Sequence, residues 1–109
     1  MSYNVIVSPN FDRELKRLSK KYKSLKIEVM ALGEQLSDNP TMGTPIGRDC
    51  YKIRLAIKSK GTGKSGGARV ITCVVALNEA VTLLTIYDKS DQADISDGEL
   101  KRILKENQL

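Results

Sequence analysis

Lys52 and Arg54 stand two residues apart in the run CYKIRLAIK, Cys50 to Lys58. That spacing puts both cations on one side of an extended chain. Arg69 opens the next apolar run, and Tyr87 and Lys89 close the last one. Cations gathered from neighbouring strands could grip a phosphodiester and offset the charge that develops on it. A phenol or an amine beside them could move a proton. The chain has no histidine, which removes His-based triads, His zinc sites and the usual imidazole acid–base catalyst. Cys50 and Cys73 are the only cysteines and lie far apart in sequence. They exclude a four-thiolate zinc site and a CxxC pair, and they do not read as a secreted disulfide framework. Asp88 and Asp91 are two carboxylates in a loop, too weak a signal for a metal. No metal and no cofactor are expected.

The charge is unevenly placed. The chain carries 18 basic and 13 acidic residues, a net charge of +5. From Arg48 to Arg69 seven basic residues (Arg48, Lys52, Arg54, Lys58, Lys60, Lys64 and Arg69) face one acid, Asp49. A second basic run, Arg13 to Lys26, holds seven cations against Glu14. On a helix such a run reads as a solvated face. The Arg48–Arg69 run is different, because crowding like charges on paired strands costs stability unless an anion offsets it. A polyanion is therefore the expected partner, nucleic acid first.

The elements that must hold these residues follow from periodicity. Tyr3 to Ser8 is a β-branched strand, and Ser8-Pro9 suits a helix start. Phe11, Leu15, Leu18 and Tyr22 form one helical stripe; Leu25, Val29, Leu32 and Leu36 form another, from about Ser24 to Asp38, and a helical hairpin is expected. Asn39 to Asp49, with two prolines and two glycines, reads as loop. In Cys50 to Lys58, Tyr51, Ile53, Leu55 and Ile57 face one way and Lys52, Arg54, Ala56 and Lys58 the other. Ser59 to Ala68 is a glycine-rich connection. Arg69 to Leu77 reads as a central strand covered on both faces, and Ala80 to Tyr87 as another strand. Ser96-Asp97-Gly98-Glu99 matches a capping box before a short last helix. The order is β-α-α-β-β-β-α, one domain over residues 1–109, and the short turn-linked strands favour antiparallel pairing. GTGKSGG is not a phosphate-binding loop. The position that motif reserves for its first glycine is Lys58, and a strand follows where a helix is required.

No apolar run approaches the ~18 residues of a membrane helix, and the N-terminus has no charged-then-apolar segment, so no membrane is expected and the chain is expected in the cytoplasm. With one Phe and no Trp, the chain is poor in the stacking platforms of a passive single-strand binder.

CYKIR, KSKGTGKSGGARVI and LLTIYDKSD, followed by a short C-terminal helix, resemble the RelE/ParE superfamily of bacterial type II toxins, nearest the RelE-like, HigB-type branch. The likeness spans nearly the whole chain and implies an α+β fold: a curved, mostly antiparallel sheet with the N-terminal helical hairpin on one face and a short C-terminal helix. It implies a toxin neutralised by a cognate antitoxin protein. It also implies an mRNA interferase: a metal-independent endoribonuclease that cleaves mRNA in the ribosomal A site, with the 2′-hydroxyl attacking the adjacent phosphate. By position it implies catalytic roles for Lys52, Arg54, Arg69 and Lys89, with Tyr87 a substitute acid–base candidate where some relatives carry Tyr or His in the C-terminal segment. RNA-binding roles are implied for Arg48, Lys58, Lys60 and Lys64. Two other readings stand beside it: a ParE-like inhibitor of DNA gyrase with no chemistry of its own, and a general RNA-binding domain or degraded toxin.

Overall fold

Ser8 makes the first change of structure. Its Oγ accepts a hydrogen bond from the Phe11 N–H at 3.1 Å, and Pro9 takes the first helical position. Strand β1 (Asn4–Val7) thus gives way to helix α1 (Pro9–Lys21). Tyr22 to Ser24 turns the chain into α2 (Leu25–Asp38), completing the expected hairpin. Strands β2 (Thr44–Gly47), β3 (Cys50–Leu55), β4 (Ala68–Val75) and β5 (Ala80–Asp88) follow, then α3 (Asp97–Glu106). The structure, a computed structural model, describes residues 2–61 and 63–109; Thr62, within the glycine-rich connection, lies outside them.

The five strands form one mixed sheet in the order β1-β5-β4-β3-β2. β1 runs parallel to β5, and the other pairs are antiparallel. The hairpin covers one face, where Phe11, Leu18, Leu25, Leu32 and Leu36 pack on Ile53, Val70, Leu83 and Ile86. α3 covers the other, with Leu100, Ile103 and Leu104 against Cys50, Ile71, Cys73, Leu84 and Tyr87. Ser96 caps α3 by accepting from the Glu99 N–H at 3.1 Å, as its capping-box pattern predicts.

Three details depart from the sequence reading. The Asn39–Asp49 stretch is not all loop: Thr44–Gly47 is an edge strand, where Pro45 is tolerated because only one side needs a ladder. Its turn into β3 uses Arg48 and Asp49 at φ 57 and 61, the paired left-handed residues of a tight hairpin, in a dipeptide that carries no such signal. β3 stops at Leu55, and Ile57 instead drops fully buried into the hairpin-side core. Finally, Ile71 pairs Thr85 while Thr72 pairs Leu83, so Leu84 is an extra residue in β5. This bulge resets the alternation. Before it Val81 and Leu83 face the hairpin; after it Ile86 does, and Tyr87 turns to the α3 face.

Candidate functional site

Register decides which cations can meet. Residues directly opposite in an antiparallel pair share a face. Arg54 pairs Arg69, Arg69 pairs Tyr87 and Lys52 pairs Ile71. Lys52, Arg54, Arg69 and Tyr87 therefore stand on the α3 face, with Tyr87 packed in the cluster beneath α3. Lys89 follows β5, its N–H donating to the Gly67 carbonyl at 3.0 Å and its Nζ to Ala93 O at 3.2 Å.

Arg69 is the centre of this group and is only 5% exposed. Its guanidinium donates to the carbonyls of Lys64 at 2.9 Å, Ala68 at 3.1 Å and Ser65 at 3.1 Å. Among the described residues no carboxylate pairs with it. The carbonyls take three of its five N–H donors and leave its charge uncompensated among the described residues, beside a like charge on Arg54 directly across the ladder, an arrangement that costs stability. Gly67 makes the close strand contact possible: a Cβ there would sit 2.1 Å from Leu55 O. Arg54 itself is exposed and, among the described residues, unpaired. Lys52 Nζ lies 3.3 Å from Asp94 Oδ1.

Tyr87 is 5% exposed, and its hydroxyl is buried with no hydrogen-bond partner among the described residues. Burial, then the nearby Asp94 charge, pushes its phenol up to about 12, against the opposing pull of Arg69. It stays protonated across the physiological range and is placed to give a proton rather than take one. Asp94 had no motif to mark it in the sequence. Its carboxyl is held below the usual range, chiefly by the Ile95 N–H and then by Lys52 in spite of some burial. It stands among the cations where an anion would sit.

The loop cations divide. Lys58 and Lys64 are exposed and line, with Arg54, an open groove of about 350 Å³ between α2 and the end of β3 that lies beyond its pairing with β2. Lys60 turns to the hairpin side, 14% exposed, where its Nζ contacts Asp88 Oδ1 at 2.6 Å, Gly66 O at 2.7 Å and Ser90 Oγ. Tyr22 donates its hydroxyl to the other oxygen of Asp88. Burial raises the Asp88 carboxyl, but the hydrogen bonds from Lys60, Tyr22 and Ser90 outweigh it and hold it at about 2. Arg48 sits at the far end of β3, on the hairpin turn, 3.4 Å from Asp97 at the start of α3. Sequence order alone suggested one basic patch; strand register brings four of the residues together and sends Lys60 and Arg48 elsewhere. Among the described residues no group of three or more Cys, Asp and Glu could hold a metal ion, and Asp88 is committed to Lys60 and Tyr22.

Residues 10–108 match the model of a family described as the RelE toxin of the RelE/RelB toxin–antitoxin system. Three solved structures share the fold. The toxin–antitoxin complex RelBE2 from Mycobacterium tuberculosis superposes with a TM-score of 0.61 at 19% identity, covering 84% of this chain and 95% of that one. A double arginine-to-alanine mutant of the E. coli toxin RelE in the free state gives 0.59 at 18%, covering 85% and 90%. The isolated E. coli RelE toxin gives 0.57 at 18%, covering 95% and 98%.

Proposed function

The chain belongs to the RelE toxin family, and from that premise we propose that it is a single-domain cytoplasmic toxin that cleaves mRNA on the ribosome and is held in check by a cognate antitoxin. The observation that carries the reading is Arg69: a buried guanidinium held by three carbonyls, with no carboxylate paired to it among the described residues and Arg54 directly opposite. A buried charge without a counter-ion is tolerated where an anion is to be received. A phosphodiester supplies that anion.

The chemistry asked of the site is attack of a 2′-hydroxyl on the adjacent phosphate and expulsion of the 5′-oxygen. Charge builds on the non-bridging oxygens, and Arg69 and Arg54 are the groups to meet it, with Lys52 and Lys89 at the rim. Because Arg69 is already fixed by three carbonyls, little reorganisation is needed when the charge appears. Tyr87, protonated across the physiological range, is the acid for the leaving oxygen. Lys58 and Lys64 follow the RNA backbone away from the site. The density of cations around an unpaired arginine favours this reading over a gyrase inhibitor that needs no phosphate pocket.

Induction of the protein in cells, followed by primer extension on cellular messages, tests it. Arrested translation with new message 5′ ends is expected, and both should vanish in Lys52→Ala and Arg54→Ala. Replication stopping first, with gyrase-linked DNA breaks, would falsify the nuclease reading.

A further inference from the structure

Cys50 and Cys73, distant in sequence, are paired across β3 and β4. Both are free and buried, at 1% and 4% exposure, on the face that α3 covers. The kind of pair they form can be read from its neighbours. The Val74 N–H donates to the Asp49 carbonyl at 2.9 Å. A bond from the residue after one partner to the residue before the other marks a non-hydrogen-bonded pair. In such pairs the Cα atoms stand about 4.5 Å apart and the side chains lie closer than elsewhere in the ladder. That separation falls inside the range a disulfide spans. The sulfurs also converge: Cys50 Sγ lies 3.4 Å and Cys73 Sγ 4.0 Å from the same carbonyl, Arg48 O.

The site has an entrance. Cys73 lines an open cleft of about 560 Å³ between the β4 end and the C-terminal turn of α3, with Arg48, Val74, Leu104 and Leu109. Cys50 is not among the residues lining it, so a reagent entering there meets Cys73 first. The thiols differ in readiness as well. Their mutual hydrogen bond, then burial, pushes the Cys50 thiol up, while the same bond pulls Cys73 down. The thiolate is the attacking species in disulfide exchange.

We propose that Cys50 and Cys73 form a redox-modification site, which a small-molecule disulfide converts into a cross-strand disulfide stapling β3 to β4. The Cys73 thiolate attacks one sulfur of the reagent, breaking its S–S bond and releasing one thiolate. The mixed disulfide on Cys73 is then attacked by the Cys50 sulfur after loss of its proton. The Cys50–Cys73 bond forms and the second thiolate leaves. Two protein thiols are oxidised, one reagent disulfide is reduced to two thiols, and the two protons end on them. The staple lies in register with Lys52, Arg54 and Arg69 on the same two strands, so it fixes the framework that carries them. This site stands whatever the substrate of that framework.

The full-length chain, folded and reduced, is equilibrated with oxidised glutathione, quenched with an alkylating agent and weighed intact. The expected product has lost two hydrogens, takes no alkyl group, and yields a proteolytic peptide linking Cys50 to Cys73. Its thermal midpoint rises by several degrees, because the bond closes a loop in the unfolded chain. Cys50→Ser, which lacks the resolving thiol, is expected to stop with one glutathione on Cys73. Two alkylated cysteines, a stable glutathione adduct on the wild-type chain, or a bond between two chains would each overturn the proposal. So would a linked peptide that forms only in denaturant.

Discussion

Asp88 and Lys60 show how burial changes what a charge does. In the sequence Lys60 is one loop cation among several, and Asp88 an acid at a strand end. Their contact spans 28 positions and depends on Gly66 and Ser90 closing around the ammonium; nothing local announces it. Arg69 is the opposite case. Its place at the start of an apolar run marked it, and only the carbonyls that fix it were hidden. The Asp88 carboxyl titrates at about 2 when folded, below its ordinary 3.8. A depressed carboxyl contributes stability above the unfolded value and loses it as pH falls through the folded one. The pair should therefore contribute about 2 kcal/mol at neutral pH, lost between roughly pH 4 and pH 2. Asp88→Asn strands the Lys60 ammonium and should cost about 3 kcal/mol. Urea unfolding across that pH range checks both. If wild type and Asp88→Asn lose stability in parallel from pH 4 to pH 2, Asp88 is not the group responsible.

At the scale of elements, most of the fold was legible because its signals are local. The Ser8 and Ser96 caps, the two helical stripes and the alternation of β3 all needed only near neighbours in sequence. What was not legible depends on partners. β2 is a strand because β3 offers it an edge, not because TPIG prefers extension. The bulge at Leu84 shows in sequence only as the doublet Leu83-Leu84, which could belong to either face. Yet it is the feature that turns Tyr87 toward Arg69, since unbroken alternation would bury the phenol under the hairpin. The β2–β3 turn was hidden because Arg48 and Asp49 do the work usually given to Asn and Gly. Asp49 holds φ 61 at some cost, and none of its side-chain atoms makes a hydrogen bond among the described residues. Asp49→Gly should therefore stabilise the protein by about 0.5–1 kcal/mol. Chemical denaturation reads this directly, and a destabilised Asp49→Gly chain would mean the turn is not strained.

For the molecule as a whole, the sheet separates two jobs. Its hairpin-side face is core, closed at one end by the Lys60–Asp88 pair. Its other face is core only where α3 lies, and beyond α3 it presents cations. Both basic runs carry the same excess in sequence, but they differ in shape. Arg13 to Lys26 is spread around a helical corner, where Lys16 pairs with Asp12 and Arg17 with Glu14. Of the sheet run, Lys52, Arg54 and Arg69 instead meet on neighbouring strands, around an arginine with no counter-ion among the described residues. If binding to single-stranded RNA draws on the second, its salt dependence must follow those residues. Each cation that neutralises a phosphate adds about 0.7 to the slope of log affinity against log salt. Removing Lys52 and Arg54 together should lower that slope by about 1.4. Lys20→Gln with Lys23→Gln removes equal charge from the helical corner and should leave it unchanged. Fluorescence anisotropy of a labelled oligoribonucleotide, titrated at several salt concentrations, compares the two directly. Equal losses of slope from both double variants would show that net charge, not the register of β3 and β4, draws RNA to the molecule.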